Sequence, residues 1–195
     1  MLLPTKVSKQ VGQANIQAAT KALIRLIDLT AMTRAFVQTN IKEKIPGRMQ
    51  KELDRYLRWA ATDGGYKYPP ALPNLILEVI GVGNGSAEIA NYMQDRLKDL
   101  AQKHRDFWRR DKNSEPGMKG PWIHQPPVLY GLFIVNTTLL VLTVDPAKGP
   151  SAHVSYQVEV NFSKQNQGVW NAITVGIVVC IARDDMMARK KFVEK

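Results

Sequence analysis

From Gly120 to Val144 the chain carries no charged residue, and residues 128–144 are nearly all aliphatic or aromatic. A run of that kind has to be removed from water, as a membrane span, a core helix or fully buried strands. Length argues against a span: residues 128–144 number only 17 and are cut by Asn136, Thr137 and Thr138, whereas a spanning helix needs about 20 mostly apolar residues. The β-branched and aromatic content predicts two strands, 128–135 and 138–144, joined by a tight turn at Asn136 and Thr137. Unbroken apolarity predicts that both faces of those strands are covered. After a turn over 145–150 a third strand alternates, with Val154, Tyr156, Val158 and Val160 to one side and Ser155, Gln157 and Glu159 to the other.

The covering layers are read from helical periodicity. Over residues 14–44, Ile16, Ala19, Leu23, Ile27, Ala31 and Ile41 recur at helical spacing, predicting one long helix or a kinked pair that stops at Ile45-Pro46-Gly47. A second helix follows over 48–61. Leu75 to Ile80 reads as a short buried strand, and Gly81-Val82-Gly83-Asn84-Gly85 leads to Ser86 as N-cap of a helix over 86–110. The last helix, 164–189, is apolar nearly all round over 169–182, which predicts that it is sandwiched in protein with Cys180 as a small buried hydrophobe. The resulting fold class is mixed α+β: a central sheet of about four strands covered by helices, with an N-terminal helical arm. A basic helical region, 1–63, precedes an α/β core domain, 64–195.

With 195 residues, 45% apolar and 23% charged, the chain has the composition of a globular protein. Its net charge of +10 favours phosphate-rich or acidic partners. The excess is N-terminal, with 11 Lys or Arg against 4 Asp or Glu in residues 1–60. On the second helix Arg48, Lys51, Arg55 and Arg58 oppose an apolar face of Met49, Leu53, Tyr56, Leu57 and Ala60. Such a stripe either tracks phosphates or is a solvated surface neutralised by Glu52 and Asp54. Arg105, Arg109 and Arg110 add a second basic group, and Trp108, Trp122 and Trp170 can stack bases or pack. A lone cysteine and an opening without the pattern of a secretory signal predict an intracellular compartment, cytoplasmic or nuclear.

The candidate catalytic pair is Asp145, closing the second strand of the meander, and Glu159 on the polar face of the third. Two carboxylates converging beside a main-chain carbonyl suit a divalent metal that activates water; the alternative is a turn-opening Asp-Pro and a solvent-facing glutamate. The order helix, strand, strand ending in Asp145-Pro146, strand with Glu159-Val160-Asn161, then helix, resembles the core of PD-(D/E)XK nuclease-like proteins over residues 86–185. That resemblance implies Asp145 and Glu159 as ligands of Mg²⁺ or Mn²⁺. Asn161 stands where the family has lysine, so Lys164 or Gln165 would have to orient the water or the phosphate. Segments 127–131 and 169–172 also resemble uncharacterised fungal proteins, which implies no activity.

Other features are read structurally. The Gly81-x-Gly83 loop before a helix offers an anion site, but Ser86 replaces the third glycine of the dinucleotide pattern, so a plain turn is favoured. Glu78, a lone acid in a buried strand, should pair with a cation such as Lys67 or Arg105, or point to a strand-end site beside the glycine loop. His104, His124 and His153 are scattered. Three functions are expected in turn. The first is a PD-(D/E)XK-like protein contacting nucleic acid, catalytically degenerate or cleaving with a metal. The second is a non-enzymatic module whose N-terminal helix docks a protein partner or a second copy, and the third is membrane association.

Overall fold

The computed structural model describes residues 7–81, 83, 85–109 and 122–193. Helix α1 (Val7–Gln38) is followed by a 3-10 turn (Lys42–Lys44), α2 (Ile45–Asp63), β1 (Leu75–Ile80), α3 (Ser86–Trp108), β2 (Leu129–Val135), β3 (Thr138–Val144), a 3-10 turn (Pro146–Lys148), β4 (Ser155–Asn161) and α4 (Gly168–Val193). The four strands form one sheet in chain order: β1 lies parallel to β2, and β2, β3 and β4 are antiparallel. The fold is α+β, as its pattern of apolar runs and helical stripes predicts.

Both faces of β2 and β3 are covered, which explains why neither alternates. Leu132, Ile134, Leu139 and Val141 point to one side and join Leu26 and Leu29 of α1, Leu53 and Tyr56 of α2, and Val175 and Val179 of α4. Leu129, Phe133, Leu142 and Val144 point to the other, against Met93, Leu97, Leu100 and Ala101 of α3. Three helices therefore cover one face and one covers the other. The N-terminal helices pack directly on the sheet: α1 and α2 share one hydrophobic cluster with its strands and α4.

Three local details differ from the sequence expectation. First, α1 ends at Gln38, ahead of Pro46. Asn40 takes φ of 57° and the chain closes with Asn40 N donating to Val37 O and Ile41 N to Phe36 O, a Schellman cap that asparagine tolerates in place of glycine. Pro46 instead opens α2, where a missing N–H costs nothing. Second, α4 begins at Gly168, leaving Lys164 and Gln165 in the turn after β4. Third, β4 changes face midway. Val141 pairs with Val158 but Leu142 pairs with Tyr156, so Gln157 is an extra residue in a bulge. Val158 and Val160 thus join the three-helix side, while Val154 joins the α3 side.

Candidate functional site

The register of β3 and β4 decides the proposed carboxylate pair. Glu159 lies opposite Leu140, and Asp145 follows β3 five residues further on; at about 3.3 Å per residue that is about 16 Å of strand. One ion bridges ligand oxygens at about 2.0–2.6 Å, so the two residues do not form a common metal site. Antiparallel pairing brings the end of β3 to the start of β4, and Glu159 lies near the end of β4. Asp145 is occupied locally: its Oδ1 accepts from Ala147 N at 3.0 Å and caps the following 3-10 turn. Glu159 is exposed. Lys164 and Gln165 are exposed beyond Asn161, which pairs with Thr138, so they sit at the opposite end of β3 from Asp145. Asn161 also acts locally, its Oδ1 accepting from Ser163 N at 2.9 Å and Ser163 Oγ at 2.7 Å. Among the described residues no group of three His, Cys, Asp or Glu side chains is placed to hold a metal. Asp145 and Glu159, so placed, do not fit the shared Mg²⁺ or Mn²⁺ that the nuclease resemblance implies.

The basic face of α2 forms as expected, but its arginines are taken by carboxylates. Glu52, 6% exposed, receives Arg55 at 2.8 and 2.9 Å, Arg48 at 3.5 Å and Arg25 of α1 at 3.9 Å. Arg58 donates to Asp54 at 2.8 Å and lies over the Tyr68 ring, whose hydroxyl donates to the same carboxylate. Three of the four cations are therefore spent inside the protein. Glu78 finds a cation on α3, neither Lys67 nor Arg105. Arg96 makes a two-pronged contact with its carboxylate, and the Tyr92 hydroxyl donates at 2.9 Å. Partial burial pushes the Glu78 carboxyl upward, but the Arg96 and Tyr92 hydrogen bonds outweigh it and hold the group below its ordinary value.

At the end of α3 the sequence-predicted residues do meet. Arg105 donates to Gln102 Oε1 at 2.7 Å and to Gly149 O at 3.3 Å, and Arg109 bridges to Trp122 through its backbone. With Asp106 and Pro150 they line a hollow of about 250 Å³. Arg110 lies outside the described residues.

Two features escaped the sequence reading. The outer face of α4 is bare: Trp170 is 66% exposed, Ile173 38%, Ile177 56% and Ile181 49%, at the spacing of one helical stripe. Val169 beside them, and Ile16 and Ile24 of the neighbouring α1, are also exposed. The signal was the uncharged run 169–182, read as burial within a single chain. The second is a cleft of about 540 Å³ between α2, the Tyr68–Pro69 segment and β1. Comparison of this chain with family models, curated proteins and solved structures finds no match. Among the described residues no helix is long and apolar enough to cross a membrane.

Proposed function

We propose that this chain is a non-enzymatic self-association module in which two copies meet through the outer face of α4 and the adjoining face of α1. The observation that carries the reading is the α4 stripe. A helix packed on one side presents charged or polar residues to water on the other; α4 instead shows Trp170, Ile173, Ile177 and Ile181, and has no charged residue over 169–182. A contiguous apolar surface of this kind marks an interaction site. A second copy is the favoured occupant because a two-fold contact sets the same patch against itself, and the apolar centre of a homodimer interface needs no complementary charge pattern.

The test is mass by light scattering for the natural chain and for Ile177→Glu. The glutamate would point to water in the monomer, so the reading expects an unchanged melting temperature and a loss of dimer mass. Equal masses would refute the α4 face. Binding of the monomer to vesicles without any dimer would assign the face to lipid.

A second reading is supported by the hollow at the end of α3. Arg105, Arg109 and Trp122 line this one hollow, a combination of residue types that suits the phosphate and base of a nucleotide. With Arg48, Arg55 and Arg58 held by carboxylates, nucleic-acid contact on this reading rests on few cations. A labelled single-stranded oligonucleotide would then bind weakly, with a shallow salt dependence that Arg105→Ala and Arg109→Ala abolish.

A further inference from the structure

The cleft beside β1 has an unusual wall. Leu75, Ile76, Leu77 and Glu78 all line it, yet in a strand successive side chains point to opposite faces of the sheet. Leu75 and Leu77 pack on the three-helix side and Ile76 on the α3 side. Four consecutive residues can border one cavity only along the strand's free edge, where the backbone itself faces the space. β1 pairs with β2 alone, so this edge presents main-chain N–H and C=O groups without a strand partner. The opposite edge of the sheet is blunted by the Gln157 bulge and the exposed Glu159, devices that resist strand addition. β1 has no proline, no lysine and no register shift over its six residues.

The facing wall is one stripe of α2, Gly47, Gln50, Lys51, Asp54 and Leu57, closed at one end by Tyr68 and three prolines. Both lining carboxylates are already satisfied, Asp54 by Arg58 and Tyr68, and Glu78 by Arg96 and Tyr92. Lys51 is the one cation of the lining and has no ion-pair partner among the described residues. We infer that the cleft takes an extended acidic peptide, added as a fifth strand along β1. Its main chain pairs with the edge, its alternate apolar side chains meet Leu57, Leu75 and Leu77, and a carboxylate meets Lys51. Strand addition of this kind draws affinity from the main chain and specificity from alternate side chains, and the four bordering residues span about 13 Å. The site and its occupant are separate from the α4 face, so Ile177→Glu should bind the peptide as the natural chain does.

The probe is a phage-displayed random nonapeptide library panned on the full chain, with the strongest sequence then synthesised and titrated by fluorescence anisotropy. The expected winners alternate apolar and polar residues and contain Asp or Glu. Gly47→Trp should weaken binding about tenfold or more, since a Cβ at Gly47 meets nothing within 4 Å and a large side chain there fills the cleft. Lys51→Glu should weaken it about fivefold. N-methylation of one alternate set of peptide nitrogens should abolish binding, and of the other set should leave it within about twofold. The methylated pair needs no change in the protein, so it decides the matter even where Gly47→Trp fails to fold. Absence of any enriched peptide, or equal tolerance of both methylated sets, would overturn the inference.

Discussion

His104 is 1% exposed on α3, and its neutral ring donates Nε2–H to the carbonyl of Pro73 at 2.9 Å. Burial, aided by the nearby Arg189 charge and only partly offset by the Pro73 bond, lowers its pKa from 6.5 to about 4. The unfolded chain therefore binds a proton below 6.5 that the folded chain refuses until about 4. The His104 contribution is complete above pH 6.5 and is lost as the pH falls towards 4, a decline on the order of 3 kcal/mol. Urea midpoints of the natural chain and His104→Gln between pH 7 and 4 should show a steeper fall for the natural chain; parallel curves would contradict the assignment. Asn171 is the comparable polar link on α4: buried, it donates to Thr30 Oγ1 and Asn161 O, both at 3.1 Å. Asn171→Leu should cost about 1–3 kcal/mol in chemical denaturation. At this scale the sequence was partly informative. A lone glutamate in an apolar strand announces that it needs a cation, but nothing local says that the cation is Arg96, because the crossover through α3 sets that pairing.

Among the elements, α4 tells most about what periodicity can reveal. Its all-round apolarity was plain in the sequence; which sides are covered was not, since that depends on α1 lying along only one flank. Gly168 records the closeness of that flank, for a Cβ there would stand 2.9 Å from the backbone oxygen of Ile27. Gly168→Ala should therefore destabilise the protein by about 1–3 kcal/mol, measured by thermal melting, because backbone cannot step aside as a flexible side chain can. β4 shows a different limit. Strict alternation predicts one face for Val154, Tyr156, Val158 and Val160, and a single extra residue at Gln157 reverses it. Bulges leave no mark in binary patterning. The same register keeps Asp145 and Glu159 apart, since antiparallel strands bring together only residues that lie opposite one another, and Glu159 lies opposite Leu140.

On the scale of the whole molecule, the helices of residues 7–63 are structural members of the core. Leu26 and Leu29 of α1 are at most 1% exposed and pack in the same cluster as Leu132, Ile134 and Val179. Deleting residues 1–40 should leave an unfolded or aggregated chain; a cooperative melt of the remainder would contradict a shared core. The sheet was the most legible part, because β-branched and aromatic content and the Asn136-Thr137 turn set its strands apart from a core helix, whereas the exposed face of α4 was hidden in an assumption that apolar residues are satisfied within one chain. The most direct measurement is sedimentation equilibrium of the full chain over about 1–100 µM. The account predicts a mass rising from 21.9 kDa towards twice that value, with Ile177→Glu fixed at the lower one. A natural chain of 21.9 kDa at every concentration would contradict it.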